Sequence, residues 1–131
     1  MWSEVERIYR AYNDAENAHD LQATTALVTE DLRVTINGLP QLSSGADDEV
    51  ANAALFAAYP DYHREVIEVI SDADRGVVRW RMVGTPASGT TFAPLDLHGC
   101  SVVRIRDGRL ADAHLYADMS ALRAVLPSEV T

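Results

Sequence analysis

Thiol chemistry is almost missing from this chain, which holds one cysteine, Cys100. A lone cysteine excludes an intrachain disulfide and fits a reducing cytoplasm, so the expected location is cytoplasmic. With that one thiol and four scattered histidines, no metal-ligand spacing is present. Basic residues are also few: 11 Lys and Arg stand against 20 Asp and Glu, a net charge of −9. An acidic chain repels phosphate backbones and anionic lipid, so neither nucleic acid nor a membrane is expected as partner. No apolar run approaches the roughly 20 residues of a transmembrane helix. The opening Met-Trp-Ser-Glu-Val-Glu-Arg lacks the basic-then-apolar layout of a signal peptide. Internal repeats and low-complexity tracts are absent too. What is there is a chain of 131 residues, 47% hydrophobic, the size of one domain over 1–131 with one core.

Ser3 followed by Glu6 forms a capping box. Val5, Ile8, Tyr9, Tyr12 and Ala15 then recur at helical spacing, predicting a helix over about residues 4–18. Asp20 caps a second, short helix. The β-branched run from Leu32 to Asn37 predicts a first strand, ended by Gly38 and Pro40, with loop after it. Asp47, Asp48 and Glu49 lie in the first turn of a third helix, where the dipole favours acids; they are read as solvated surface. That helix stops before Pro60. Tyr62 to Ile70 and Val77 to Val83 are further strands.

Asp107-Gly108 then separates two strand-like runs, and this pair suits a two-residue turn with positive φ at both positions. The hairpin carries His98, Cys100, Asp112, His114, Tyr116 and Asp118. A short helix over 119–126, capped by Asp118, closes the chain. Early helices and late strands indicate an α+β domain rather than βαβ units. A curved meander with helices on one face makes an interior hydrophobic pocket, the ordinary place for a ligand.

Several short pieces now align with a known family. They are Ala58-Tyr-Pro-Asp61, Asp74-Arg75-Gly-Val-Val-Arg-Trp80, Gly84-Thr85, and Asp107-Gly108-Arg109-Leu110 leading to Tyr116-Ala-Asp118. In order and spacing the chain resembles the SnoaL-like polyketide cyclases of the NTF2-like superfamily, whose relatives include ketosteroid isomerase and limonene-epoxide hydrolase. The resemblance implies a cone-shaped, curved mixed sheet with N-terminal helices around a pocket. It also implies a homodimer through the open sheet face, and a site that needs no cofactor and no metal. The chain departs from the family where chemistry is concerned. A carboxylate usual on the last strand is replaced by Leu115, its aromatic neighbour by Ala113, and the isomerases' base falls at Ile36.

Two positions keep the family's chemistry. Tyr12 stands where the isomerases place an oxyanion-binding tyrosine, and His98 where they place an interior hydrogen-bond donor. The expected reading is acid/base chemistry on an apolar, polyketide-like carbonyl compound, with Tyr12 as donor and His98 as base or second donor. Trp80, Met82, Val102 and Leu115 are expected to wall the pocket, with Asn37 and Tyr59 near the substrate. His114 and Asp118 are the alternates: alternation from Leu115 sends His114 to the outer face, and Asp118 reads as a cap. Two other readings stay open. One is a non-catalytic ligand-binding or dimerisation domain, which Leu115 in place of a carboxylate would suit. The other is an epoxide-opening enzyme.

Overall fold

The computed structural model describes residues 1–126. Helix α1 (Glu4–Asn17) starts at Ser3, whose hydroxyl accepts the Glu6 N–H at 3.1 Å. Helix α2 (Leu21–Ala26) starts at Asp20, which accepts from the Ala23 N–H. Strands β1 (Val28–Ile36) and β2 (Leu39–Leu42) follow as a hairpin. Its turn is Asn37-Gly38, both at positive φ (51° and 85°). Helix α3 (Gly45–Ala58) is capped by Ser44. Four strands complete the sheet: β3 (His63–Asp72), β4 (Arg75–Gly84), β5 (Leu95–Arg106) and β6 (Arg109–Ala117). A single 3-10 turn, Ser120–Leu122, follows.

The six strands form one curved mixed sheet in the order β2-β1-β6-β5-β4-β3. Every pairing is antiparallel except β1 with β6. The apolar stripe of α1 (Val5, Ile8, Tyr9, Tyr12) packs against the sheet at β3 and β4 and forms the core with β-strand residues such as Val78, Trp80 and Val103. Gly99 lets that core close, because a Cβ there would lie 2.6 Å from the Trp80 ring and 2.7 Å from Ala117.

The expected elements stand with three changes. The stretch read as loop after Gly38 contains β2. Pro40 is tolerated there because β2 is an edge strand, where one face of the ladder needs no partner. The terminal helix expected over 119–126 is reduced to the 3-10 turn, which Asp118 holds by accepting from Ser120 N and Oγ at 3.1 and 2.7 Å.

The third change decides which residues reach the interior. Asp107 and Gly108 do form the hairpin turn, at φ 54° and 73°. The pairing then shifts: Ile105 faces Leu110, but Arg104 faces Asp112. Ala111 is therefore an extra residue on β6, a β-bulge. Beyond it Ser101, not Cys100, lies opposite Leu115. Directly paired residues share a face. So Gly99, Ser101 and Val103 turn inward, while His98, Cys100 and Val102 turn to the outer face.

Candidate functional site

Between the helices and the inner sheet face lies a cavity of about 110 Å³. Its sheet side and its C-terminal side are mostly aliphatic, with Leu32, Val34, Met82, Leu110, Leu115 and Leu122 among its walls and Gln41 and Ser101 as polar members. Most polar groups enter from the helical side and β3: Tyr12 and Glu16 on α1, Asp48 and Asn52 on α3, Tyr62 just before β3 and Arg64 on it.

Helical periodicity places the first four. On α1, Glu16 falls one turn after Tyr12, on the buried stripe. On α3, Asp48, Ala51, Asn52, Leu55 and Phe56 are buried, at the i, i+3, i+4, i+7, i+8 spacing of an inward face. Asp48 is 7% exposed, whereas its neighbour Glu49 is in solvent and Asp47 bonds Ser43 at the surface. On β3, alternation places Arg64 inward, opposite Met82.

These side chains form two joined clusters. In the first, the Tyr12 hydroxyl donates to Asp48, 2.9 Å from Oδ2 and 3.1 Å from Oδ1. Asn52 Nδ2 donates to the Tyr12 oxygen at 3.1 Å and to Asp48 Oδ2 at 3.3 Å. In the second, the Tyr62 hydroxyl donates to Glu16 Oε1 at 2.7 Å. Arg64 Nη2 lies 3.2 Å from the same oxygen, close enough for an ion pair but outside hydrogen-bond alignment. Asn13 fixes Arg64 by accepting from its Nε at 2.8 Å and donating to its backbone carbonyl at 3.0 Å. The guanidinium stands over the Tyr9 and Tyr12 rings at 5.3 and 5.9 Å, in cation–π range.

Two carboxylates and one guanidinium share this buried space, and they are not equivalent. Glu16 is matched by Arg64 and Tyr62. Asp48 has hydrogen bonds but no cation beside it. Burial raises its pKa to about 7 and the Glu16 charge adds to that rise, against smaller lowering effects of the Tyr12 hydrogen bond and Arg64. The α3 dipole favours its anion, yet desolvation dominates. Burial, Asp48 and Glu16 together push the Tyr12 phenol well above its ordinary value, so it stays a neutral donor. For Arg64, burial works against the charge, and Glu16 and three phenols more than offset it, so its pKa rises. The arrangement thus has one carboxyl that gains and loses a proton near neutrality, next to a fixed hydroxyl donor. That is the composition of an acid/base site.

The residues expected from sequence divide clearly. Tyr12, Met82 and Leu115 line the cavity. His98 does not: it is exposed on the outer face beside Arg81, and Val102 is exposed there too. Both corrections follow from the Ala111 bulge. Trp80 is inward and fully buried but stands behind the wall, donating its indole N–H to Ser101 Oγ at 2.9 Å. Tyr59 is fully buried away from the cavity and gives its hydroxyl hydrogen to the Ala93 carbonyl. Asn37 is an exposed turn residue whose amide brackets the Ala117 backbone. His114 sits on the outer face, 2.7 Å from Thr35 Oγ1 and 3.4 Å from Asp112. Asp118 is the exposed turn holder already described. Glu16, Asp48, Asn52 and Arg64 were missed. For Asp48 and Asn52 the signal was present in the α3 periodicity.

Known proteins agree with this architecture. Residues 9–113 match the SnoaL-like domain. The chain belongs to the SnoaL-like family. Among solved structures it is similar to a candidate SnoaL-like polyketide cyclase from Jannaschia sp. CCS1 (17% identity, 95% of this chain and 94% of that one, TM-score 0.75). It is similar to an LEH-like epoxide hydrolase from M. tuberculosis (15%, 94% and 89%, TM-score 0.76). An NTF2-like protein of unknown function from Cytophaga hutchinsonii shares the fold as well (9%, 93% and 96%, TM-score 0.71). At these identities the likeness establishes the NTF2-like fold and not an activity. No curated protein matches the chain. Among the described residues, no helix is long and apolar enough to cross a membrane, and no cluster of three His, Cys, Asp or Glu forms a metal site.

Proposed function

We propose that this SnoaL-like chain is an enzyme that moves a proton on a small apolar carbonyl compound, by double-bond isomerisation or aldol-type cyclisation. The observation that carries this reading is the buried Tyr12–Asp48 pair in the cavity wall. Ionised Asp48 takes a proton from the carbon next to the substrate carbonyl. The C–H electron pair moves toward the carbonyl and forms an enolate. Asp48, now neutral, no longer needs the Tyr12 hydrogen, which turns to the enolate oxygen. Asn52 keeps the phenol and carboxyl in place through the exchange. The enolate then takes the proton back from Asp48 at another carbon, or its carbon attacks a second carbonyl group of the same molecule and the alkoxide formed takes that proton from Asp48. The aliphatic wall excludes water and holds the reacting atoms together.

This assignment answers the binding-domain reading on its own ground. That reading leaned on the loss of a carboxylate at Leu115, and Asp48 supplies one from the helical side of the same cavity. An epoxide-opening enzyme would have to activate water with a carboxylate and protonate the oxide with a second acid. Here Glu16 is engaged by Tyr62 and Arg64, which favours the single-carboxyl reading. A homodimer through the outer sheet face remains part of the proposal; exposed Val77, Val102 and Tyr116 give that face its apolar area.

The test is conversion of small cyclic β,γ-unsaturated ketones and of short dicarbonyl chains, followed by enone absorbance. Wild type converts a member of this set and Tyr12→Phe is slowed. A wild-type chain that binds these compounds and never converts them is a binding domain.

A further inference from the structure

We propose that the cavity takes a one-ring aliphatic molecule with a single acceptor oxygen, a cyclic ketone or enone, and rejects fused polycyclic compounds. The chemistry of this inference rests on the acid/base reading above; the size and polarity argument does not.

Size comes first. A cavity of about 110 Å³ is far below the roughly 300–1,000 Å³ of ordinary ligand pockets. It is near the roughly 150 Å³ that admits benzene. One ring fits inside with small side-chain adjustments, whereas three or four fused rings would leave most of their surface outside the open mouth.

Polarity comes second. The walls formed by Leu32, Val34, Leu110, Leu115, Met82 and Leu122 offer no strong hydrogen-bonding atom. A hydroxyl pressed against them loses its water and gains nothing, at a cost that disfavours polyhydroxylated rings. Tyr12, Asp48 and Asn52 gather on the helical side, so the ligand needs its polar atom at one end.

Third comes the count of hydrogens. With Asp48 ionised, the phenolic hydrogen is on the carboxylate and the Asn52 amide hydrogens serve Tyr12 and Asp48. No donor of this three-residue cluster remains for a ligand. One added proton gives the Tyr12–Asp48 pair two O–H groups. One joins the pair and the other is free to meet a ketone oxygen. The other polar groups facing this space are engaged: Glu16 with Tyr62 and Arg64, Arg64 with Asn13, and Ser101 with Trp80 and Tyr9, while Gln41 has a partner of its own. Ketone binding therefore follows the proton on Asp48, and hydrocarbon binding does not.

The experiment is an NMR titration of the whole chain with cyclohexanone, its hydrocarbon isostere methylenecyclohexane, and three-ring anthrone, at about pH 5 and about pH 9, either side of the Asp48 transition. Cyclohexanone is expected to bind about tenfold more tightly than methylenecyclohexane at the lower pH, and to lose that advantage at the higher one. Anthrone is expected not to bind wild type. Leu115→Ala, which enlarges the aliphatic side, extends binding to two-ring 1-tetralone. Anthrone binding to wild type as well as cyclohexanone does, equal affinities for the ketone and the hydrocarbon at low pH, or no cyclohexanone binding each overturns the inference. Hydrogen exchange at the ketone's α-carbons is read in the same samples. Binding as expected without exchange sinks the acid/base reading and leaves the ligand class standing. Exchange on 1-oxo-1,2,3,4-tetrahydrophenanthrene, a three-ring ketone with an α-methylene, does the reverse.

Discussion

The Tyr12 hydroxyl lies 2.9 Å from Asp48 Oδ2, joining two helices across 36 positions of chain inside the cavity wall. Neither residue is remarkable alone. Together they place a permanent donor against a carboxyl whose proton comes and goes near pH 7.

Asp48→Asn keeps the size and one hydrogen-bonding oxygen of the side chain but removes its basicity. Turnover should fall by about 10²–10⁴-fold, the usual contribution of a positioned base, while the affinity for a substrate analogue changes little. Steady-state kinetics beside a binding titration checks this. Comparable losses in both would assign Asp48 a structural role instead.

Tyr12 and Glu16 act on Asp48 in opposite directions. The Tyr12 hydrogen bond lowers the Asp48 pKa and the Glu16 charge raises it. Because the base must be ionised, activity rises with pH through the Asp48 transition. Tyr12→Phe should move that rise to higher pH and lower its plateau; Glu16→Gln should move it to lower pH. The pH profiles of kcat for the two variants give the answer, and shifts in the same direction would contradict the coupling.

Glu16→Gln also leaves Arg64 buried without an opposing charge. Removing one partner of such a pair costs about 3–5 kcal/mol. Urea unfolding should show a loss of that order, whereas deleting the exposed Arg79–Glu68 pair (3.1 Å) should cost less than about 1 kcal/mol.

Asp48 makes stability depend on pH with a defined sign. Its pKa is raised from 3.8 to about 7 on folding, so between those values the folded chain binds the proton and the unfolded chain does not. Stability from this group is complete below about pH 4, falls as pH rises, and levels off above about pH 7. At 1.36 kcal/mol per unit the loss is roughly 4 kcal/mol. Measured against Asp48→Asn at each pH, wild type should lose ground steadily across that window. A flat difference would mean that Asp48 is not held protonated.

Much of this fold was legible from local rules. The Ser3 cap, the α1 stripe and the Asp107-Gly108 turn follow from spacing and turn chemistry, and all three are present. The site was half legible. Tyr12 and Met82 sit on faces that simple periodicity assigns, and Leu115 on the face its family position implies. His98 was misplaced because the family alignment put it at an interior position, which takes no account of a register shift within the hairpin. Ala111, the bulge residue, advances the register by one and turns His98 to the outer face. Nothing in the composition of Ala111 announces this. Asp48 was hidden differently: an acidic run at a helix start has a sufficient explanation in the dipole, and that explanation masked the inward spacing of Asp48 with Asn52 and Leu55. Arg64 and Glu16 escaped because buried ions violate the usual solvent-facing expectation.

The most direct measurement is deuterium exchange at the α-carbons of cyclohexanone, followed by NMR in wild type, Asp48→Asn and His98→Ala. At saturating cyclohexanone, Asp48 acting as the base predicts exchange in wild type that rises through about pH 7, vanishes in Asp48→Asn and is unchanged in His98→Ala. Wild-type exchange persisting in Asp48→Asn, or lost in His98→Ala, would contradict it.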